Sequence, residues 1–354
     1  MPGGRVIFSH PSDKITFMAD ASTEPRFPAR ERVFSGMRPT GRLHLGHLLG
    51  ALPNWVKLQD NYDCVYCVAD LHALTTRYDN VTGMQKDGIE MVADWIAAGI
   101  DPERSIIFRQ SEIKAHSELA LLLGMLTPVS WLTRSPSYKE MVGELGERVA
   151  TFGFLGYPVL QTADIILYKA SRVPVGEDQL SHLELAREIV RRFNSMYGNV
   201  FPEPKAILTE TPRLLGLDGR KMSKSYGNTI DIAEDPESVR RKVMAMFTDP
   251  ARQRLKDPGH PDVCNVFSYH KFFEAPAAEI DEIDRGCRAA TIGCTECKTR
   301  LADRILAVLG PIRDRREALL AGPGRIEAIL EDGRRRALAI AAEVFGEACA
   351  AIGI

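Results

Sequence analysis

From Val33 onward the chain alternates short runs of consecutive apolar residues with longer stretches in which apolar residues recur every three or four positions. The first pattern reads as buried parallel strands and the second as amphipathic helices. On this basis Arg32–Ser35 is a first strand, Leu45–Gln59 a helix, Cys64–Asp70 a second strand and Ser105–Arg109 a third. Arg172–Gly176 is a further strand that leads into a long helix over Leu180–Met196. A helix is also predicted over Pro158–Lys169, with Pro158 at its first position, where a missing N–H costs nothing. The stretch from Asp101 to Thr151 is mostly helical. Beyond residue 230 the pattern is helical throughout, over Pro236–Phe247, Val266–Ala275, Thr295–Leu309 and from Gly324 to the end.

The predicted fold class is α/β: a doubly wound, parallel-sheet, Rossmann-like catalytic domain with a C-terminal α-helical domain. The expected boundaries are a loosely ordered extension over 1–31, a catalytic domain over 32–215 with a helical insertion at about 101–151, and a helical domain over 216–354. In such a sheet, ligands bind beyond the carboxyl ends of the strands. Three polar clusters fall there: the turn after strand one, Asp70-Leu71-His72, and Gly176-Glu177-Asp178-Gln179.

The turn after strand one, Gly36-Met-Arg38-Pro-Thr-Gly-Arg-Leu-His44-Leu-Gly46-His47, has the composition of a phosphate site. A glycine-rich strand-to-helix turn points backbone N–H groups at its ligand, and the helix N-terminus adds positive potential. His44 and His47 supply further donors, and Gly46 between them leaves room for a flat base on the backbone. A common polar surface turn would share this composition. Far downstream stands Lys221-Met222-Ser-Lys224-Ser.

His-x-Gly-His early and Lys-Met-Ser-Lys-Ser late resemble the paired signatures of class I aminoacyl-tRNA synthetases. Over residues 33–230 the chain is similar to bacterial tryptophanyl-tRNA synthetases, most closely in Val173-Pro-Val175-Gly176-Glu-Asp178-Gln179 and the following His182, Arg187 and Arg192-Phe-Asn194. The resemblance implies ATP-dependent activation of L-tryptophan, release of pyrophosphate and transfer to tRNA, by a homodimer using ATP with Mg²⁺. It further implies that Arg38, His44, Gly46, His47, Gly176, Asp178, Lys221, Met222 and Lys224 bind ATP, with both histidines and both lysines acting in catalysis. Phe34, Gly36, His72, Val173 and Val175 would line the indole slot, Asp164 would accept the indole N–H, and Tyr157, Gln161 and Gln179 would hold the amino-acid head. The helical insertion would carry the dimer contact.

Tyr157, Gln161 and Asp164 share one face of the expected helix, and that face lacks the Lys, Arg and Glu of a solvated surface. The same spacing occurs in tyrosyl-tRNA synthetases, and many bacterial tryptophanyl relatives carry Met where this chain has Gln161. Tyrosine–tRNA ligase therefore stays open as an alternative, as does a paralogue kept as a regulatory or partner-binding protein. His182 itself reads as a helix-surface residue.

Composition adds constraints. The 354 residues carry 45 basic and 47 acidic side chains, a net charge of −2, so RNA contact has to rely on local patches. Arg240-Arg-Lys242 and Arg334-Arg-Arg336 are the candidates. No apolar run is long enough to span a membrane, and no secretory leader is evident, so a cytosolic location is expected. Cysteines there are unlikely to form structural disulfides. Cys64 and Cys67 sit three apart in a strand, on opposite faces, and read as core. Cys264, Cys287, Cys294 and Cys297 give C-x22-C-x6-C-x2-C, a metal-ligand pattern that admits Zn²⁺ or an iron–sulfur cluster. The spacing resembles that of tryptophanyl-tRNA synthetases with a four-iron four-sulfur (4Fe-4S) cluster.

Overall fold

A computed structural model describes residues 30–134, 136–208, 214–273 and 275–354. Most of the expected N-terminal extension lies outside the described residues. The first half of the chain runs β1 (Arg32–Met37), α1 (Leu45–Leu49), α2 (Ala51–Leu58), β2 (Asp63–Val68), α3 (Asp70–Arg77), α4 (Met84–Ala97) and β3 (Ser105–Arg109). Then come α5 (Ala115–Leu126), α6 (Val129–Thr133), α7 (Pro136–Leu145), α8 (Phe152–Ile166), β4 (Arg172–Val175), α9 (Leu180–Tyr197) and β5 (Lys205–Leu208). The remainder is helical: α10 (Pro236–Met244), α11 (Asn265–Phe272), α12 (Ala277–Arg288), α13 (Cys294–Ala321) and α14 (Arg325–Ile352).

Among the described residues the five strands form one parallel sheet in the order β3-β2-β1-β4-β5. The order reverses between β1 and β4, which opens a crevice at their carboxyl ends. The period-2 alternation of side chains splits the strands between two cores. Val33, Cys64, Tyr66 and Val68 face one layer with α2 and α4. Phe34, Val65, Cys67 and Phe108 face the other with α5, α8 and α9. Cys64 and Cys67 thus lie in different cores, as expected, and both are buried.

Several local expectations change. The helix over Leu45–Gln59 is two helices, broken at Gly50 (φ −103°, ψ −91°). The helix expected to start at Pro158 starts at Phe152 instead. Thr151 caps it, its hydroxyl accepting the Phe154 N–H at 3.2 Å, and Pro158 lies inside. The capped start outweighs the one backbone hydrogen bond that Pro158 forgoes. Strand β5 and helix α12 are additional elements that the apolar pattern did not reveal. β5 is a four-residue strand with no fully buried residue, so it lacks the apolar signature of its neighbours.

The helical segment shares its core with the sheet. Val239, Val243, Leu301, Ile305 and Leu309 pack in the same cluster as Val33, Tyr66 and Trp95. Arg316 on α13 donates to Asp94 on α4 at 2.6 Å, and Arg315 donates to the Ala97 carbonyl at 2.8 Å. Helix α14 covers the β3 edge of the sheet, and Arg336 donates to the Pro102 and Ser105 carbonyls. Covering an edge strand in this way satisfies its free carbonyls and blocks strand addition. The approach depends on Gly333, because a Cβ there would stand 1.7 Å from the Ile107 carbonyl oxygen. Gly333→Ala therefore forces the helix off the edge and should cost about 1–3 kcal/mol. A lowered urea midpoint with tryptophan absent would register it, and an unchanged midpoint would refute the close approach.

Candidate active site

The turn after β1 is built to hold two imidazoles still. Gly41 sits at φ +96°, a conformation that favours glycine, and lets the chain double back after Pro39. His44 is the N-cap of α1. Its Nδ1 accepts the Gly46 N–H at 3.1 Å, and His47 Nδ1 accepts the His44 N–H at 3.2 Å. Both Nδ1 atoms are therefore acceptors, so each ring carries its proton on Nε2, the free donor. Burial, followed by the Lys224 charge, brings His44 down to about 4. Burial, then His44 and Lys224, brings His47 down to about 3. The pair therefore acts as neutral N–H donors near neutral pH. With only five residues, α1 has a small dipole, so the positive potential and donors of this turn come more from these side chains than the sequence implied. The space over Gly46 is bounded by the His44 ring and the Met222 sulfur, which would stand 2.9 and 3.4 Å from a Cβ.

The distant lysine segment is tied to this turn through the backbone. Leu45 N–H donates to the Ile230 carbonyl and Ile232 N–H to the Leu43 carbonyl, both at 2.9 Å. Lys224 Nζ donates to the Thr40 carbonyl at 3.1 Å, whereas Lys221 is exposed. Burial lowers the Lys224 ammonium from its ordinary value. Asn228, which the sequence reading missed, shapes the segment from within. Its amide donates to Asp218 and to the Lys221 carbonyl, and its oxygen accepts the Ser223 N–H at 2.8 Å.

Across the crevice, Asp164 on α8 is 3% exposed and its carboxylate is fully engaged. His72 Nε2 lies 2.8 Å from Oδ2, His116 Nδ1 2.7 Å from Oδ1, and Gln110 donates to both oxygens at 2.8 and 2.9 Å. Burial alone would make the acid weaker. The hydrogen bonds from His116 and His72 outweigh it and hold the group well below the usual carboxylate range. His116 Nε2 meets the Tyr168 hydroxyl at 2.8 Å. Gln110 and His116 were absent from the sequence reading. Gln110 is the first residue beyond β3, the position where strand-end logic looks for ligands, and His116, Leu119 and Leu123 share one buried helix face.

The other expected pocket residues gather nearby. Phe34 on β1 and Val173 and Val175 on β4 are buried, and Phe34 stacks on Tyr168. Gly36 lies beside Cys67 on β2 and Ala69 just beyond it, and Arg38 is exposed at the turn. Tyr157 packs edge-on to His72. His182 is not a surface residue: it is 4% exposed and its Nε2 lies 2.9 Å from the Tyr157 hydroxyl. It faces inward because α9 packs its apolar stripe on α8. Gln161 is half-buried on α8, and Gly176, Asp178 and Gln179 form the tight turn that follows β4.

The four cysteines line one pocket together with Arg252, Phe267 and Ile292. Arg252 approaches Cys287 Sγ at 3.4 Å, and His270 Nε2 approaches Cys297 Sγ at 3.4 Å. Among the described residues, no three His, Cys, Asp or Glu side chains are grouped as ligands of a single ion. The expected basic patches are partly committed elsewhere. Lys242 pairs with Glu234, Arg240 with Asp303, Arg334 with Glu331 and Arg336 with backbone carbonyls. Among the described residues no helix is long and apolar enough to cross a membrane.

The histidine turn gives a pH prediction. Both imidazoles titrate at 6.5 when unfolded and at about 4 and 3 when folded, so the unfolded chain binds more protons between those limits. Their contribution is complete above pH 6.5 and fades as pH falls toward 4. Asp94 opposes it: burial lifts it to about 6, so its contribution improves as pH drops through that value. His47→Asn removes one histidine effect and leaves Asp94 in place. Between about pH 7 and 5 the wild type should lose more stability than this variant in urea titrations. Equal losses would mean that His47 is not held neutral.

The family described as "tRNA synthetases class I (W and Y)" matches residues 29–310. The chain is 49% identical to a tryptophan–tRNA ligase of Thermotoga maritima, over 89% of this chain and 97% of that one. It is 43% identical to a tryptophan–tRNA ligase of Aquifex aeolicus, over 89% and 98%. A crystal structure of a tryptophanyl-tRNA synthetase from Campylobacter jejuni, complexed with ADP and tryptophan, superposes with a TM-score of 0.84 at 32% identity, covering 91% of this chain and all of that one. With the sheet order, the paired motifs and these likenesses in agreement, the chain belongs to the class I tRNA synthetases for tryptophan and tyrosine, in their bacterial tryptophan–tRNA ligase branch.

Proposed function

We propose that this chain activates L-tryptophan with ATP, releases pyrophosphate and passes the tryptophanyl group to tRNA, and that the crevice between β1 and β4 is where it does so. The observation that carries this is the clamp of the Lys224 segment onto the His44–His47 turn, opposite a buried ionised carboxylate. The substrate carboxylate attacks the α-phosphorus in line and pyrophosphate leaves. Such a displacement needs positioning and charge stabilisation rather than a protein nucleophile. His44 and His47 offer Nε2–H donors to the phosphates, and Lys224 adds a partly desolvated cation. Lys221, exposed in this state, reaches the pyrophosphate by a small loop movement. Arg38, Gly46 and Met222 flank the nucleotide, and Gly176 and Asp178 hold its ribose. Mg²⁺ entering with ATP would supply charge neutralisation on the pyrophosphate, next to the Lys224 and histidine donors.

Phe34, Gly36, His72, Val173 and Val175 wall the slot for the ring. Tyr157, Gln161 and Gln179 take the amino-acid head. The indole N–H takes the position on Asp164 Oδ2 that His72 holds, since His72 is the partner nearest the mouth, with 13% of its side chain exposed. Tyrosine also carries a donor on its ring, so Asp164 alone does not separate the two amino acids and the shape of the slot has to. Amino-acid-dependent ATP–pyrophosphate exchange with each substrate separates the two readings, and equal rates would remove the tryptophan assignment. Lys224→Ala should lower exchange by about 10²–10³-fold, chiefly in kcat, because its cation acts on charge that develops in the transition state. Lys221→Ala should have a smaller effect.

The four-cysteine pocket suits a 4Fe-4S cluster. What supports this reading is that all four cysteines of the C-x22-C-x6-C-x2-C pattern line one pocket. When bound, the cluster would tie α11, α12 and α13 together through Cys264, Cys287, Cys294 and Cys297. Gly259 makes room for Cys287, since a Cβ there would stand 2.5 Å from its sulfur. Anaerobically purified protein should be brown and should lose iron in Cys294→Ser. Colourless protein with stoichiometric zinc would overturn the cluster. The helical region offers the anticodon-binding surface. A homodimer is supported by exposed Leu121, Met125, Val129 and Phe152 on the α5–α8 segment, all more than half exposed. A monomer mass by light scattering would remove that part.

A further inference from the structure

Asp164 is gripped by side chains from three separate elements, and two of them never reach the pocket. Gln110 comes from the turn after β3, and His116 comes from the first turn of α5. Each has 0% relative exposure, as does Tyr168 behind His116. An ionised Asp164 can only accept, so His116 Nδ1 carries a proton, and in the neutral imidazole His116 Nε2 then accepts from the Tyr168 hydroxyl. The direction of the whole chain is thereby set: Tyr168 O–H to His116, His116 N–H to Asp164. Gln110 donates across both oxygens and so fixes the plane of the carboxylate. The remaining donor, His72, shares Oδ2 and alone among the three has measurable exposure.

We propose that Gln110 and His116, backed by Tyr168, are positioning residues that set substrate specificity by aiming Asp164 Oδ2 at the ring nitrogen of the amino acid. The proposal rests on the reading of Asp164 as the acceptor for the indole N–H. A carboxylate bonded through only one face would be free to turn. A buried one that lost its donors would take up a proton and present an O–H where an acceptor is needed. Specificity for a ring N–H would fall, even though neither residue touches the substrate.

The test uses ATP–pyrophosphate exchange with tryptophan and with its isostere in which sulfur replaces the ring N–H, taking the ratio of the two kcat/KM values. A loosened pocket lowers both values together, whereas misdirected Asp164 lowers the ratio. Gln110→Met and His116→Leu should each reduce the ratio about tenfold or more, mainly through KM for tryptophan, as expected for loss of a charge-assisted hydrogen bond. His116→Asn, which places an amide N–H near the lost Nδ1, should restore most of it. Tyr168→Phe, which keeps the packing on Phe34, should give an intermediate ratio and stands in for His116→Leu if that variant does not fold. An unchanged ratio in Asp164→Asn would overturn the indole reading and this proposal with it. A ratio lost in Asp164→Asn but kept in Gln110→Met and Tyr168→Phe would overturn the positioning alone.

Discussion

Two backbone hydrogen bonds, Leu45 N–H to Ile230 and Ile232 N–H to Leu43, join the two halves of the chemistry. They splice the lysine segment to the histidine turn as if it were a neighbouring strand. The other features of this turn depend on that splice. It brings Lys224 to Thr40, beside the half-buried His44 and His47, and burial together with the Lys224 charge keeps their imidazoles neutral. A cation beside two neutral donors suits a polyanion better than three competing cations would, because the site is not strained by its own charge before the ligand arrives.

The opposite wall of the crevice obeys the reverse logic. There a single anion is held ionised in a dry place by three donors that come from β3, α3 and α5 through their ends. Leaving a buried carboxylate unpaired is expensive, so the surrounding residues are committed to it. The crevice thus has two walls of opposite character, neutral imidazoles with a lysine on one side and a pinned carboxylate on the other.

The helical half is not an appendage. Its side chains complete the core on one face of the sheet, Arg316 reaches Asp94, and α14 seals the β3 edge through Gly333 and Arg336. The cysteine pocket lies within this half, on helices α11, α12 and α13, of which α13 packs against α4.

The sequence alone carried the fold class, the two nucleotide motifs and the cysteine spacing. Each of these is a local signal: strand runs of consecutive apolar residues, a glycine-rich turn, a fixed interval between ligands. It also placed Asp164 on a helix face unlike a solvated one. Local reading failed where a distant partner decides the outcome. Thr151 moved the start of α8 past Pro158, and packing of α9 on α8 turned His182 inward. Gln110 and His116 carried only faint signals, a strand-end position and an apolar helix face, and Asn228 none, because the buried partner that fixes each side chain is brought to it by the tertiary structure. Which lysine reaches the histidines was likewise settled by the splice at Leu45 and Ile230, a contact between segments that no window along the chain contains.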